Sequence, residues 1–169
     1  MTIDPNWQRW VCLSIQNHFA TSDHIISWQT YIDNPQAYPD KVPLWIENPN
    51  YDKSQVDKNL EIRIGGPYFT RVSNKTWKLR VIVNALLETE MNMANLMFQQ
   101  EVLGKIQESF STIPLRMYGP YETDTQGQIA CMDVYGEIIT IDFSQEAAEE
   151  KRQIAYIEAE YRTELRRLN

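Results

Sequence analysis

LEIRIGGPYFTRVSNKTWKLRVIVNALLETEMNMANLMFQQEVLGKIQESF, residues 60–110, is the stretch on which the fold turns. In its first seven residues Leu60, Ile62 and Ile64 alternate with Glu61 and Arg63, the two-residue period of a half-buried strand, before Gly65, Gly66 and Pro67 break it. In WKLRVIVNALLE, Trp77, Leu79, Val81, Val83, Ala85 and Leu87 share one face. Lys78, Arg80, Asn84 and Glu88 share the other, interrupted by Ile82 and Leu86. A connection holding Gly66, Pro67, Ser73, Asn74 and Lys75 joins two such strands most simply as a β-hairpin over 60–88. From Met91 the period lengthens. Met93, Leu96, Met97, Leu103, Ile106 and Phe110 recur at three- and four-residue steps, which predicts an amphipathic helix over 91–110 lying across the hairpin.

Working outward, Asp4 and Pro5 are a good N-cap and first helical residue, and Ile3, Trp7, Val11, Ile15 and Phe19 recur every four residues, so a helix is predicted over 4–20. The next segment, HIISWQTYID, is too short for its period to decide between a helical turn and an edge strand. Residues 34–59 carry Pro35, Pro39, Pro43 and Pro49 and read as a long ordered loop in which only PLWIE looks strand-like. Beyond the central helix, TIPLRMYGPY predicts a short strand stopped by Gly119 and Pro120. A second hairpin is predicted over 129–143, turning at Gly136 with Ile139, Ile141 and Phe143 on the return strand. Ile154, Ile157, Tyr161 and Leu168 fall near a 3.5-residue spacing in a Glu/Lys/Arg-rich context, which predicts a helix over 144–168. The expected architecture is one α+β domain over 1–169: an antiparallel or mixed sheet, helices mainly on one face, and a long C-terminal helix.

At 43% hydrophobic and 23% charged, the chain has enough apolar residues for a core of its own. Its net charge of −7 argues against a broad nucleic-acid surface, which needs cations to replace phosphate counterions. The charge is uneven: residues 60–90 sum to +2 while 91–143 sum to −5, so the first hairpin is a basic island that favours a charged partner, another copy of the chain included. No run of 18 apolar residues and no signal-peptide pattern is present, so neither a membrane span nor export is expected. Cys12 and Cys131 each sit in an apolar run and are expected to be reduced core thiols.

The common catalytic and phosphate-binding signatures (GxxxxGK, GxSxG, GxGxxG, CxxC, HExxH) are absent, and no cofactor or metal is implied. His18 and His24, six apart, have no standard ligand spacing. One acidic arrangement is worth weighing. Pro39-Asp40 followed by Glu61-Ile62-Arg63 imitates the carboxylate pair and cation of a small metal-dependent nuclease, but an arginine fits poorly where a lysine would steady the attacking water. The plainer role for Glu61 and Arg63 is the solvated face of a strand. Tyr68 and Phe69, after Gly66-Pro67, and Tyr118, before Gly119-Pro120, are loop aromatics that either fold back or reach a partner.

The order of these parts resembles the tail terminator (tail-completion) proteins of tailed bacteriophages: an N-terminal helix, a proline-rich segment, the strands of LEIRIGGPYFTRVSNKTWKLRVIVNALLET, a helix ending QQEVLGKIQESF, and the strand IPLRMYG. The resemblance implies a non-enzymatic virion subunit, made in the host cytoplasm, that forms a ring, commonly a hexamer. That ring caps the tail tube protein and meets the head–tail connector or neck protein, with DNA passing through and not bound. Another neck or tail-ring role remains open because of the long polar C-terminal segment. Small nuclease and soluble protein-binding adaptor are the alternatives from other classes. The candidate subunit interface comprises Arg63, Tyr68, Phe69, Lys78, Arg80, Tyr118, Ile154, Ile157 and Tyr161.

Overall fold

The computed structural model describes residues 6–45, 50–90, 93–119, 125–142 and 152–166. Helix α1 spans Trp7–Ala20, strand β1 Ile25–Ser27, helix α2 Trp28–Asp33 and strand β2 Val42–Trp45. Strands β3 (Lys58–Arg71) and β4 (Thr76–Glu90) follow, then helix α3 (Met93–Glu108), β5 (Ile113–Tyr118), β6 (Thr125–Asp142) and β7 (Arg152–Arg166). The seven strands form one sheet in the order β1-β2-β3-β4-β7-β6-β5. It is mixed, because β1, β2 and β3 run parallel to one another and the other neighbours are antiparallel. Strand outweighs helix, 54% to 27%, and the sheet curls into a half-barrel. The predicted α+β sheet with a long C-terminal helix is therefore replaced by a mostly-β architecture with few helices.

The largest correction falls on 144–168. Residues 152–166 of that predicted helix are strand β7, and it is a central strand, paired with β4 along all 15 residues and with β6 on its other side. Its alternation explains why: Ala155, Ile157, Ala159, Tyr161 and Leu165 are buried, and Tyr156, Glu158, Glu160, Arg162 and Glu164 face the other way. The spacing of Ile154, Ile157 and Tyr161 that suggested a helix is incidental to this two-residue pattern. Leu168 and residues 144–151 lie outside the described residues.

The hairpin predicted over 129–143 is also corrected. Residues 125–142 are one 18-residue strand whose first half pairs with β5 and whose second half pairs with β7. Gly136, with φ +79°, sits where the register shifts between Tyr135 and Ile139, so it makes a bulge and not a turn. Phe143 lies outside the described residues.

The hairpin predicted over 60–88 is present as β3 and β4, with the chain reversing at Val72–Lys75. Gly66 and Pro67 lie within β3, at a register shift between Gly65 and Tyr68. Pro67 has no N–H to give, and β3 tolerates it at a bulge on the side away from β4. HIISWQTYID resolves into both of its options, edge strand β1 and then α2, and the proline-rich loop contains the short strand β2. The predicted cap residues Asp4 and Pro5 lie outside the described residues, while α1 follows its stripe from Trp7.

The core lies on the concave side of the sheet. Trp10, Val11, Ile15 and Phe19 of α1, with Val102 and Ile106 of α3, pack against Leu79, Val81, Val83 and Ala85 of β4 and Ile157 and Tyr161 of β7. Phe19 and Phe110 meet edge to face at 5.1 Å. Trp10 also donates its indole N–H to the Tyr118 carbonyl at 3.0 Å, and Arg9 donates to the same oxygen at 2.9 Å, which pins α1 to the end of β5. No described helix is long and apolar enough to cross a membrane.

Candidate functional site

With α1 and α3 packed on the core side, and α2 against Ile26 and Trp45 at the β1–β2 edge, the outer side of β3-β4-β7-β6 carries the candidate site. Register decides which residues meet there. Tyr68 of β3 stands opposite Arg80 of β4, Arg80 opposite Arg162 of β7, and Arg162 opposite Asp133 of β6. One rung on, Thr70 faces Lys78 and Lys78 faces Glu164. Two guanidinium groups are thus direct cross-strand neighbours, an arrangement that costs free energy unless something lies between or beside them. A tyrosine flanks each. The Arg80 guanidinium carbon sits 4.7 Å from the Tyr68 ring centre, and that of Arg162 sits 3.4 Å from the Tyr135 ring centre, both within cation–π range. Arg162 also donates to Glu160 at 2.6 Å. Together Tyr68, Lys78, Arg80, Tyr135, Arg162 and Glu164 line an open groove of about 940 Å³.

A second polar cluster occupies the other end of the same face. Lys53 donates to Glu61 at 2.8 Å and to Glu88 at 3.4 Å, and lies 4.4 Å from the Trp45 ring centre. Arg63 clasps the same Glu61 carboxylate through Nε at 2.8 Å and Nη2 at 3.3 Å. Burial alone would raise the Glu61 pKa. The hydrogen bonds from Arg63 and Lys53 outweigh it and hold the carboxyl below its ordinary range. Beside it, the Tyr156 hydroxyl lies 2.7 Å from Asn84 Oδ1 and 2.6 Å from Glu158. A hydroxyl has one proton to give, so satisfying both contacts turns the Asn84 amide to present its NH₂. Burial, then the Glu158 contact, pushes this phenol up to about 12.

Asp40, the other half of the weighed nuclease arrangement, acts on a different cation: it and Asp57 favour the charged form of Lys58, whose pKa burial nonetheless lowers. Among the described residues no group of three His, Cys, Asp or Glu is placed to hold a metal ion. His18 donates its Nε2–H to the Ser109 carbonyl at 2.8 Å, while His24 stands 3.6 Å from Glu108 across a small cleft. Of the two thiols expected in the core, Cys12 is half-buried and Cys131 is exposed.

Of the nine candidate interface residues, the fold brings Tyr68, Lys78 and Arg80 together in the groove and puts Arg63 further along the same face, held by Glu61. Phe69 lines the groove too but is half-buried against the core, and both it and Tyr68 belong to strand β3 and not to a loop. Ile154 is half-buried on the outer side. Tyr118, Ile157 and Tyr161 are at most 4% exposed and form part of the subunit's own core, which removes them from any surface. Tyr135 and Arg162 are the residues that sequence reasoning missed. Sequence periodicity places them in a hairpin and a helix, whereas the alternation across 155–165 puts Arg162 on the polar face beside β4.

A comparison with models of known protein families gives no match, and no curated protein matches the chain.

Proposed function

We propose that this chain is a ring-forming, non-enzymatic virion protein of the neck, of the tail-terminator kind, in which six copies close head to tail at the end of the tail tube. One observation carries the reading. Among the described residues the large exposed hydrophobics are Tyr68, Val72, Tyr135 and Ile139, and they divide between the β3 side and the β6 side of one sheet. β2 covers β3 only at Leu60 and Glu61, and β5 covers β6 only as far as Met132, so among the described residues both strands run on with an open outer side. Two different sticky borders on opposite sides of a subunit suit a heterologous contact, which repeats from copy to copy and closes when the rotation permits. The bulges at Gly65–Tyr68 and Tyr135–Ile139 limit how far either border can pair, which favours a defined contact over open-ended stacking. A net charge of −7 suits a passage for DNA, since acidic walls repel the duplex and do not hold it.

The test is mass in solution with one backbone variant. The Val72 N–H donates to Thr76 at 3.0 Å, so by alternation the Arg71 N–H points away from β4 to the open side. Arg71→Pro therefore removes a border donor without removing a ladder bond. Light scattering should find wild type assembled and Arg71→Pro folded but shifted toward monomer. Wild type that stays monomeric up to millimolar concentration would refute the proposal.

A further inference from the structure

We propose that the groove between Tyr68 and Tyr135 is a binding site for a short acidic peptide segment of a partner protein, one carboxylate bridging Arg80 and Arg162. The inference stands on the sheet's outer face, and the arginine pair on which it turns lies off the two borders proposed for ring closure. Its starting point is the ladder: Arg80 and Arg162 are direct neighbours, and like charges so placed repel. Among the described residues neither Lys78 nor Arg80 has an ion-paired carboxylate, although Glu164 stands opposite Lys78 in register. An incoming carboxylate with two acceptor oxygens converts the repulsion into two charge-assisted hydrogen bonds. Each guanidinium lies within cation–π range of its tyrosine, and Arg162, whose Nε is held by Glu160, keeps its Nη donors for an incoming carboxylate.

The walls fix the rest of the ligand's chemistry. Tyr68 and Tyr135 are 47% and 56% exposed, one on each side of the arginine pair, and offer rigid amphipathic surfaces that a peptide's apolar side chains can cover. In an extended peptide alternate side chains point the same way, so acidic and apolar residues in alternation can meet the arginines and the tyrosines respectively. A nucleic-acid strand fits less well. Its phosphates repeat without interruption, whereas Glu158, Glu160 and Glu164 of β7 break the basic patch on both sides of Arg162.

The experiment is fluorescence anisotropy with a fluorescein-labelled hexapeptide of alternating glutamate and phenylalanine. Controls are the same peptide with lysine for glutamate and a labelled oligothymidylate. The acidic peptide should bind, and more weakly as salt rises. The Arg80→Gln/Arg162→Gln double variant should bind it at least tenfold more weakly, and Tyr68→Ser and Tyr135→Ser each several-fold more weakly. All four side chains are exposed, so circular dichroism should report an unchanged fold, and light scattering should report an unchanged mass for the arginine double variant, whose residues lie off the two borders. Absence of binding, equal binding of the lysine peptide, an unaltered affinity in the double variant, or tighter binding of the oligothymidylate would each overturn the proposal.

Discussion

Among the described residues Tyr161 heads the completely buried side chains by volume, and its hydroxyl has no hydrogen-bond partner among them. Burial is the cause that pushes its pKa up. A desolvated hydroxyl without a partner costs about 1–3 kcal/mol, so Tyr161→Phe, which keeps the ring and removes the oxygen, should stabilise the protein by about 1 kcal/mol. Urea denaturation would register this as a higher midpoint, and a lower one would mean that the hydroxyl has a role in the core. Glu61 makes the opposite kind of prediction. Its folded pKa lies below its unfolded one, so its contribution to stability is present above about pH 4.3 and is lost as the pH falls through the folded value. Glu61→Gln should therefore flatten the acid limb of the stability profile while changing little at neutral pH beyond the lost ion pairs with Lys53 and Arg63. An acid limb as steep as wild type would assign the pH dependence to other carboxylates.

At the scale of elements, α1, the β3–β4 hairpin and β5 were legible because each repeats a single period over several apolar residues. Leu79, Val81, Val83, Ala85 and Leu87 alternate without a break, and all five are buried. β7 was not legible. Two of its inward positions are Ala155 and Ala159, small residues of high helix propensity, and most of the outward ones are Glu and Arg, so composition argues for a helix while position argues for a strand. Packing between β4 and β6 decided it, a contact no local pattern displays. β6 was misread for a related reason: Gly136 signals a positive φ, and a bulge needs that as much as a turn does. The groove inherited both errors, since Tyr135 lies on β6 and Arg162 on β7, and only Tyr68, Lys78 and Arg80 could be read from the hairpin. Ile157 tests the corrected assignment. It is 1% exposed in a central strand, so Ile157→Asp buries an unpaired carboxylate and should cost about 3–5 kcal/mol, enough to unfold a marginal domain. Circular dichroism should lose its β signal, and a variant that remains folded and merely assembles less well would return residues 152–166 to the surface.

For the molecule as a whole, one curled sheet sorts its residues into three regions. The concave side holds the core, the open sides of β3 and β6 carry the exposed hydrophobics, and the outer face between them carries the arginine pair. Tyr68 and Tyr135 belong to both the borders and the groove, so the proposed assembly and the proposed peptide binding are told apart through Arg71, at a border, and through Arg80 and Arg162, on the two strands between. The sheet also sets the role of charge in assembly. Arg63 of the hairpin is bonded to Glu61 and Arg162 of β7 to Glu160, so part of the positive charge on the outer face is answered within the same subunit. Exposed pairs of this kind contribute about 0–1 kcal/mol each, and raising salt should accordingly weaken a ring held mainly by apolar borders only modestly.

The most direct test of the ring is native mass spectrometry of the full 19.9 kDa chain over a range of concentrations. A closed ring gives one species of six copies in equilibrium with monomer, depleted in Arg71→Pro. A monomer at every concentration, or a ladder of open-ended oligomers without a dominant closed form, would contradict it.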